Sequence, residues 1–138
     1  MGIESATLHR LRVPMSGSYG SAHHRDFTEI ESTVVTLSGD GHRGVGTADA
    51  TPGYSLQTHD EIESSLLEDL LPELFDRRPT TPNGMTDAFD AVDGGQNAKC
   101  ALESAFLDWL CKRSGESLSD LLYGRRRDRV PLNGWVGI

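Results

Sequence analysis

The spacing of apolar positions along this chain changes from a strand-like period to a helical one about a third of the way through. From Ile3 to Val13 apolar and β-branched residues are interleaved with polar ones until Pro14, which predicts a strand that stops there. A second such run, Phe27 to Leu37, leads into Gly39-Asp40-Gly41 and a short third run, Arg43 to Thr47. Gly-Asp-Gly between two strand-like runs predicts a hairpin, because its tight turn needs backbone at positive φ. The first third thus reads as an antiparallel meander of three strands. Between the first two, Ser16 to Asp26 (SGSYGSAHHRD) has no period and is rich in Gly, Ser and His, a loop of the length that accompanies function or disorder.

From Thr58 the pattern is helical. Thr58 followed by Glu61 is a capping box, and Ile62, Leu66, Leu67, Leu70, Leu71 and Leu74 form one stripe of a helix about seventeen residues long, ending near Arg77-Arg78-Pro79. A shorter helix begins at Pro82-Asn83, turns Met85, Phe89 and Val92 inward, and ends at Gly94-Gly95. In the third helix, Asn97 to Arg113, Ala98, Ala101, Leu102, Ala105, Phe106 and Trp109 share one broad face while Cys100, Leu107 and Cys111 share the opposite one. Two apolar faces predict a helix held between layers, with alanines allowing another backbone to approach closely. Gly115 closes it, and Ser117 with Asp120 caps a last short helix through Leu122 to Gly124. Val130 to Ile138 then reads as a new apolar strand with no further element after it, the mark of a structure that continues.

Composition narrows the function classes. A chain of 138 residues with 36% apolar content supports one core. Twenty-one acidic against thirteen basic residues, net −8, disfavour nucleic acid and anionic membrane as partners. Arg125-Arg126-Arg127 with Arg129 is too short to reverse that balance and reads as a solvated turn. With neither a signal-peptide pattern nor a membrane-length apolar run, the expectation is a soluble cytoplasmic protein. Only Lys99 and Lys112 among the cations are lysines, which fits either a halophile-like surface or a GC-rich genome. Cys100 and Cys111, roughly 16 Å apart along one helix, are beyond disulfide reach and are expected to be free buried thiols.

The residues suited to chemistry form no complete catalytic set. Gly39-x-Gly41-x-x-Gly44-x-Gly46 leads from strand to strand, whereas a dinucleotide loop must open a helix, so it reads as hairpin. His23, His24 and Asp26 are suitable ligand types, yet adjacent residues rarely aim at one ion, and a loop closing over a ligand or a plain solvated loop are the competing readings. Asp49 and Tyr54 lie in a Pro- and Gly-containing turn, TADATPGYS, where Tyr54 alone is more often a packing residue than a ligand. Asp108, in FLDWL, reads as a paired structural carboxylate. No serine sits in a nucleophile elbow.

Taken in order, these segments resemble the enolase superfamily in its mandelate racemase and muconate-lactonizing branch. The resemblance rests on the opening strand ending in V-P, the second strand running into GDGHRGVG, Tyr54 after the third strand, and above all NAKCALESAFLDWLCKRSGESLSDLLYG, with RDRVPLNGWVGI similar to the first strand of that family's barrel. It implies an α+β fold: a three-stranded antiparallel meander followed by a helical bundle (the enolase N-terminal-like capping domain), ending in the first strand of a (β/α) barrel. Residues 1–128 would be the capping domain and 129–138 the start of the barrel. It further implies Mg²⁺-dependent removal of the proton α to a carboxylate, the developing enolate being held by the metal. In the family the bases and metal ligands lie on later barrel strands, so no catalytic or metal-binding residue is carried over. What is carried over is a substrate-specificity lid: Tyr19, His23 and His24 of Ser16–Asp26, and Asp49 and Tyr54 of Asp49–Tyr54. A small carboxylate substrate, the chain's own barrel domain and homo-oligomerisation are the implied partners.

One departure is Gly44-Val45-Gly46-Thr47 where relatives commonly read G-x-G-E, which leaves the subgroup open. Pro131-Leu132-Asn133 leans toward the lactonizing, racemase and epimerase side. An acid-sugar dehydratase of the same superfamily and a free-standing binding module with the capping fold are the alternatives.

Overall fold

The computed structural model of this chain describes residues 2–19, 27–51, 53–125 and 127–134. Strands β1 (Ser5–Tyr19), β2 (Phe27–Gly39) and β3 (His42–Ala48) form one antiparallel sheet in the order β1-β2-β3. The β2–β3 hairpin turns on Asp40 and Gly41, at φ 50° and 76°, with Gly39 opposite His42. Both turn residues are left-handed, the form of two-residue turn whose twist suits a hairpin. β1 does not stop at Pro14. It continues to Tyr19, with Pro14 opposite Glu29 and a register shift before Tyr19 meets Phe27. β1 is an edge strand, where a residue without an N–H is tolerated.

The helices cover one face of the sheet. Val35 and Leu37 of β2 are fully buried beneath them, and along β3 Gly44, Gly46 and Ala48 are buried while Arg43, Val45 and Thr47 face outward. Thr58 caps α1 (His59–Ser64) through the reciprocal capping box, and the helix then runs without a break through a π-helical stretch, Ser65–Leu70, into α2 (Leu71–Arg77). The widened turn has a local cause. Pro72 lacks the N–H that would reach back four residues and its ring crowds that carbonyl, and just before it the Leu71 N–H bonds Leu66 O, five residues back. Ile62, Leu66, Leu70, Leu71 and Leu74 are buried, so the expected stripe is present in spite of the wider turn. α3 (Pro82–Asp90) buries Met85, Ala88 and Phe89 and ends before Gly94.

α4 (Gln96–Ser114) lies across β2 and β3 at backbone contact. A β-carbon at Gly44 would fall 2.0 Å from the Ala105 carbonyl oxygen, and one at Gly46 2.0 Å from that of Ala101. These glycines are therefore the seat of the helix as well as part of the hairpin. Trp109 is fully buried, and its indole N–H donates to Gly39 O at 2.9 Å. The Arg113 guanidinium lies 5.2 Å over its ring and 3.2 Å from Asp40. Asp108 has the structural role its setting predicts: it accepts the Val45 N–H at 2.9 Å and the Lys112 ammonium at 2.7 Å. α5 (Leu118–Leu122) follows, capped by Ser117.

Two expectations for α4 do not hold within this chain, its second covering layer and the burial of its thiols. Cys100 is exposed and Leu107 and Cys111 only half-buried, so α4 is covered on one face, not held between two layers. The thiols are free but not buried, and partial burial with Asp108 and Glu116 nearby pushes Cys111 above its ordinary value. Residues 129–134 adopt no regular structure, with Val130 74% and Leu132 92% exposed. A strand exists only by pairing, and no sheet edge lies alongside this segment among the described residues.

Candidate functional site

A cleft of about 710 Å³ opens at the far end of the sheet from the hairpin turn. One wall is the β1–β2 ribbon, with Met15, Glu29, Ile30 and Glu31; the other is the segment after β3, with Asp49, Ala50, Thr51, Ser55, Leu56, Gln57, Thr58 and His59. Its surface is mainly apolar, and Leu56 stands 92% exposed at the rim. An apolar side chain so exposed in a polar turn is of little use to the fold and well placed for contact with a ligand.

Hydrogen bonds fix the second wall. The Asp49 carboxylate accepts the Ser32 hydroxyl, and the Asp49 carbonyl accepts Ser55 Oγ and Asn97 Nδ2, each at 3.1 Å. The Tyr54 and Ser55 N–H groups both donate to Thr51 O. His59 spans the base: Ala50 N–H donates to Nε2 at 3.4 Å, and Nδ1 lies 3.2 Å from the hydroxyl of fully buried Thr33. Those partners assign the proton to Nδ1, donating to Thr33.

On the first wall Glu31 faces two arginines, Arg10 at 3.6 Å and Arg12 at 3.7 Å. Arg10 also donates to Glu63 at 2.8 Å and Asp60 at 2.6 Å, tying β1 to α1, and these carboxylates hold the guanidinium above its ordinary value. Beside the cleft, Glu61 is held below the ordinary carboxylate range by the Thr58 N–H, then by the Thr58 hydroxyl. Among the described residues no group of three or more His, Cys, Asp or Glu side chains could hold a metal ion.

The predicted lid residues are placed unevenly. Asp49 lines the cleft, but its side chain is engaged by Ser32. Tyr54 sits at the tip of the turn, 61% exposed, outside the cleft lining. Tyr19 closes the β1–β2 pairing opposite Phe27. His23 and His24 lie outside the described residues. Met15, Ile30, Leu56, Gln57, His59 and Asn97 were not foreseen. Leu56 carried a signal, a lone apolar residue amid turn formers, whereas Asn97 joins the site only across forty or more positions of sequence.

Residues 3–123 match the sequence profile of the mandelate racemase / muconate lactonizing enzyme N-terminal domain. The chain belongs to that family. Among its relatives, the o-succinylbenzoate synthase of Bacillus subtilis (strain 168) is 30% identical over 99% of this chain and 37% of its own length. The N-succinylamino acid racemase of Thermus thermophilus is 29% identical over 92% of this chain and 35% of its own. Among solved structures, a mandelate racemase/muconate lactonizing family protein of Roseovarius nubinhibens ISM superposes with a TM-score of 0.80 at 25% identity, covering 99% of this chain and 38% of that one. A protein of the same description from that organism, solved complexed with magnesium, superposes with a TM-score of 0.78 at 25% identity, covering 96% of this chain and 36% of that one. The family resemblance and the three-stranded α+β capping fold are thus shown. The chain spans a little over a third of the length of these relatives. No described helix is long and apolar enough to cross a membrane.

Proposed function

We propose that this family N-terminal domain is the substrate-selecting lid of an enzyme that removes the proton α to a carboxylate, of racemase, epimerase or lactonizing type. The observation that carries the reading is the cleft itself: of the segments the sequence marked as lid, Asp49–Tyr54 gives Asp49, Ala50 and Thr51 to one mainly apolar concavity, and the β1–β2 ribbon forms the facing wall. In this reading Met15, Ile30 and Leu56 contact the part of the substrate remote from the reacting carbon and exclude water from it. The base, the groups that stabilise the enolate oxyanion, and any magnesium ligands belong to a barrel domain beginning near residue 129, and what the present residues contribute is binding and enclosure. o-Succinylbenzoate synthesis and N-succinylamino acid racemisation, named in the relatives, are the first reactions to try.

The test uses the full-length protein supplied with Mg²⁺ and a panel of N-succinylamino acids and dipeptides in D₂O, with deuterium uptake at the α carbon followed by NMR and o-succinylbenzoate formation assayed in parallel. Wild type should exchange or turn over at least one panel member. Leu56→Ala and Met15→Ala should then change the ratio of kcat/KM between panel members by about 5- to 30-fold, roughly 1–2 kcal/mol of lost apolar contact. Variants that lower every substrate equally, or a wild type inert toward the whole panel, would count against the lid reading.

A further inference from the structure

Residues 49–58 of the second wall have no strand or helix of their own, yet their polar groups are answered by side chains from four separate elements. β2 supplies Ser32, α1 supplies His59, the π-helical stretch supplies Ser65, and α4 supplies Asn97. A surface loop normally leaves such groups to water. Asn97 is joined to the wall at both ends of its residue: its N–H donates to Gln57 Oε1 at 2.9 Å and its side-chain amide to the Asp49 carbonyl at 3.1 Å. Gln57 in turn donates to Ser65 Oγ at 3.3 Å, so that one glutamine bridges the wall, α4 and the π-helical stretch.

The start of α4 explains why the arrangement is reciprocal. Its N-cap is Gly95, at φ 64°, which provides no side-chain cap. The first N–H groups of a helix have no partner within it, and that of Asn97 is among them. Here the wall caps the helix through Gln57, and the helix holds the wall through Asn97. Along the middle of the same helix, at Ala101, Ala105 and Trp109, Gly44 and Gly46 seat α4 against the sheet at backbone contact, so the anchor is rigid.

We infer that Asn97 and Gln57 are positioning residues: together they clamp residues 49–58 to the N-terminus of α4, so that this wall meets substrate as a fixed surface. The inference rests on the lid reading for its consequence, but not for its geometry. Asn97 lies outside the cleft lining, and Gln57 lines it with both ends of its side-chain amide engaged, by Ser65 and by the Asn97 N–H. They act through Ala50, Thr51 and Leu56, which line it.

The experiment is Asn97→Asp in the full-length protein. Aspartate keeps the size and is favoured near a helix N-terminus, so α4 is preserved, but it has no amide to donate to the Asp49 carbonyl. Hydrogen exchange of the Ala50, Thr51, Tyr54 and Ser55 amides should accelerate about 3- to 10-fold, the loss of one net hydrogen bond, while the α4 amides between 101 and 110 stay unchanged. With the best panel substrate KM should rise about 3-fold or more at nearly constant kcat. Gln57→Ala should give the same pattern, and the double variant should add little to either single, as for two parts of one clamp. Unchanged exchange in residues 50–55, equal acceleration throughout α4 and β2, or loosening of the wall with kinetics unmoved would each overturn the proposal. If wild type itself shows no activity on the panel, the lid reading fails separately, and the exchange result still decides the clamp.

Discussion

Gly46→Ala isolates the contact on which the whole helical layer rests. The added methyl would lie 2.0 Å from Ala101 O and 2.7 Å from Ala105 N, both backbone atoms of α4. A carbon approaching a carbonyl oxygen settles at about 3.3 Å, so the helix must retreat by roughly 1.3 Å. A gap of ~1 Å forfeits a quarter to a half of the contact energy across it. α4 buries Leu102, Phe106, Trp109 and Leu110 at 6% exposure or less. At roughly 2 kcal/mol each these contribute about 8 kcal/mol, of which about a third, near 3 kcal/mol, should be lost.

For a domain of this size that lowers Tm by about 10 °C, measurable by circular dichroism or as a shift of the urea midpoint. Gly17→Ala, with nothing within 4 Å of the new methyl, should stay within about 0.5 kcal/mol of wild type. Because the clash is with backbone, Ala105→Gly should not rescue Gly46→Ala. A Gly46→Ala protein melting within about 2 °C of wild type, or rescued by Ala105→Gly, would refute backbone contact as the reason for glycine here.

Other outcomes follow from single contacts. Trp109→Phe removes the indole donor to Gly39 O and part of a filled site, and should cost about 2–3 kcal/mol in urea titrations. Thr58→Ala removes the capping box and should cost about 1 kcal/mol near neutral pH. The Glu61 value is depressed in the folded state, so its contribution is present above the ordinary value of 4.5 and is lost as pH falls through the lower folded value. The stability difference between wild type and Thr58→Ala should accordingly shrink on acidification in that window, and a difference constant from pH 7 to pH 2 would contradict it. Asp108→Ala strips the acceptor from the Val45 N–H and should lower stability by about 1 kcal/mol, whereas Asp108→Asn, which keeps an acceptor oxygen, should recover part of that.

Much of this fold was legible locally because its determinants are local. Gly39-Asp40-Gly41 specifies its own turn, Thr58 and Glu61 specify their own cap, and the stripe from Ala98 to Trp109 depends only on helical period. Family membership was readable for the same reason, since it is carried by the order of such segments. Where local rules failed, a neighbour distant in sequence had decided. Pro14 should have ended a strand, but β2 runs antiparallel beside it and leaves it on an edge, where its missing donor costs little. Gly44 and Gly46 were read only as part of the hairpin, and they also admit α4. The π-helical turn was not foreseen: the stripe from Ile62 to Leu74 reads as one continuous helix, and the structure shows that it widens before Pro72 without breaking.

The cleft lies furthest from what local pattern can show. The sequence by itself determined the strands, caps and helices, the lineage, and two segments suspected of forming a lid. Only the tertiary structure decided that Met15 and Ile30 face Leu56 across one concavity, and that Asn97 holds Asp49 and Gln57 from forty or more residues away. The physical reason is that turns and caps are set by hydrogen bonds between near neighbours, whose cost is independent of the rest of the chain. A cleft is a relation between surfaces, and it comes into being only once α4 has been seated on the sheet.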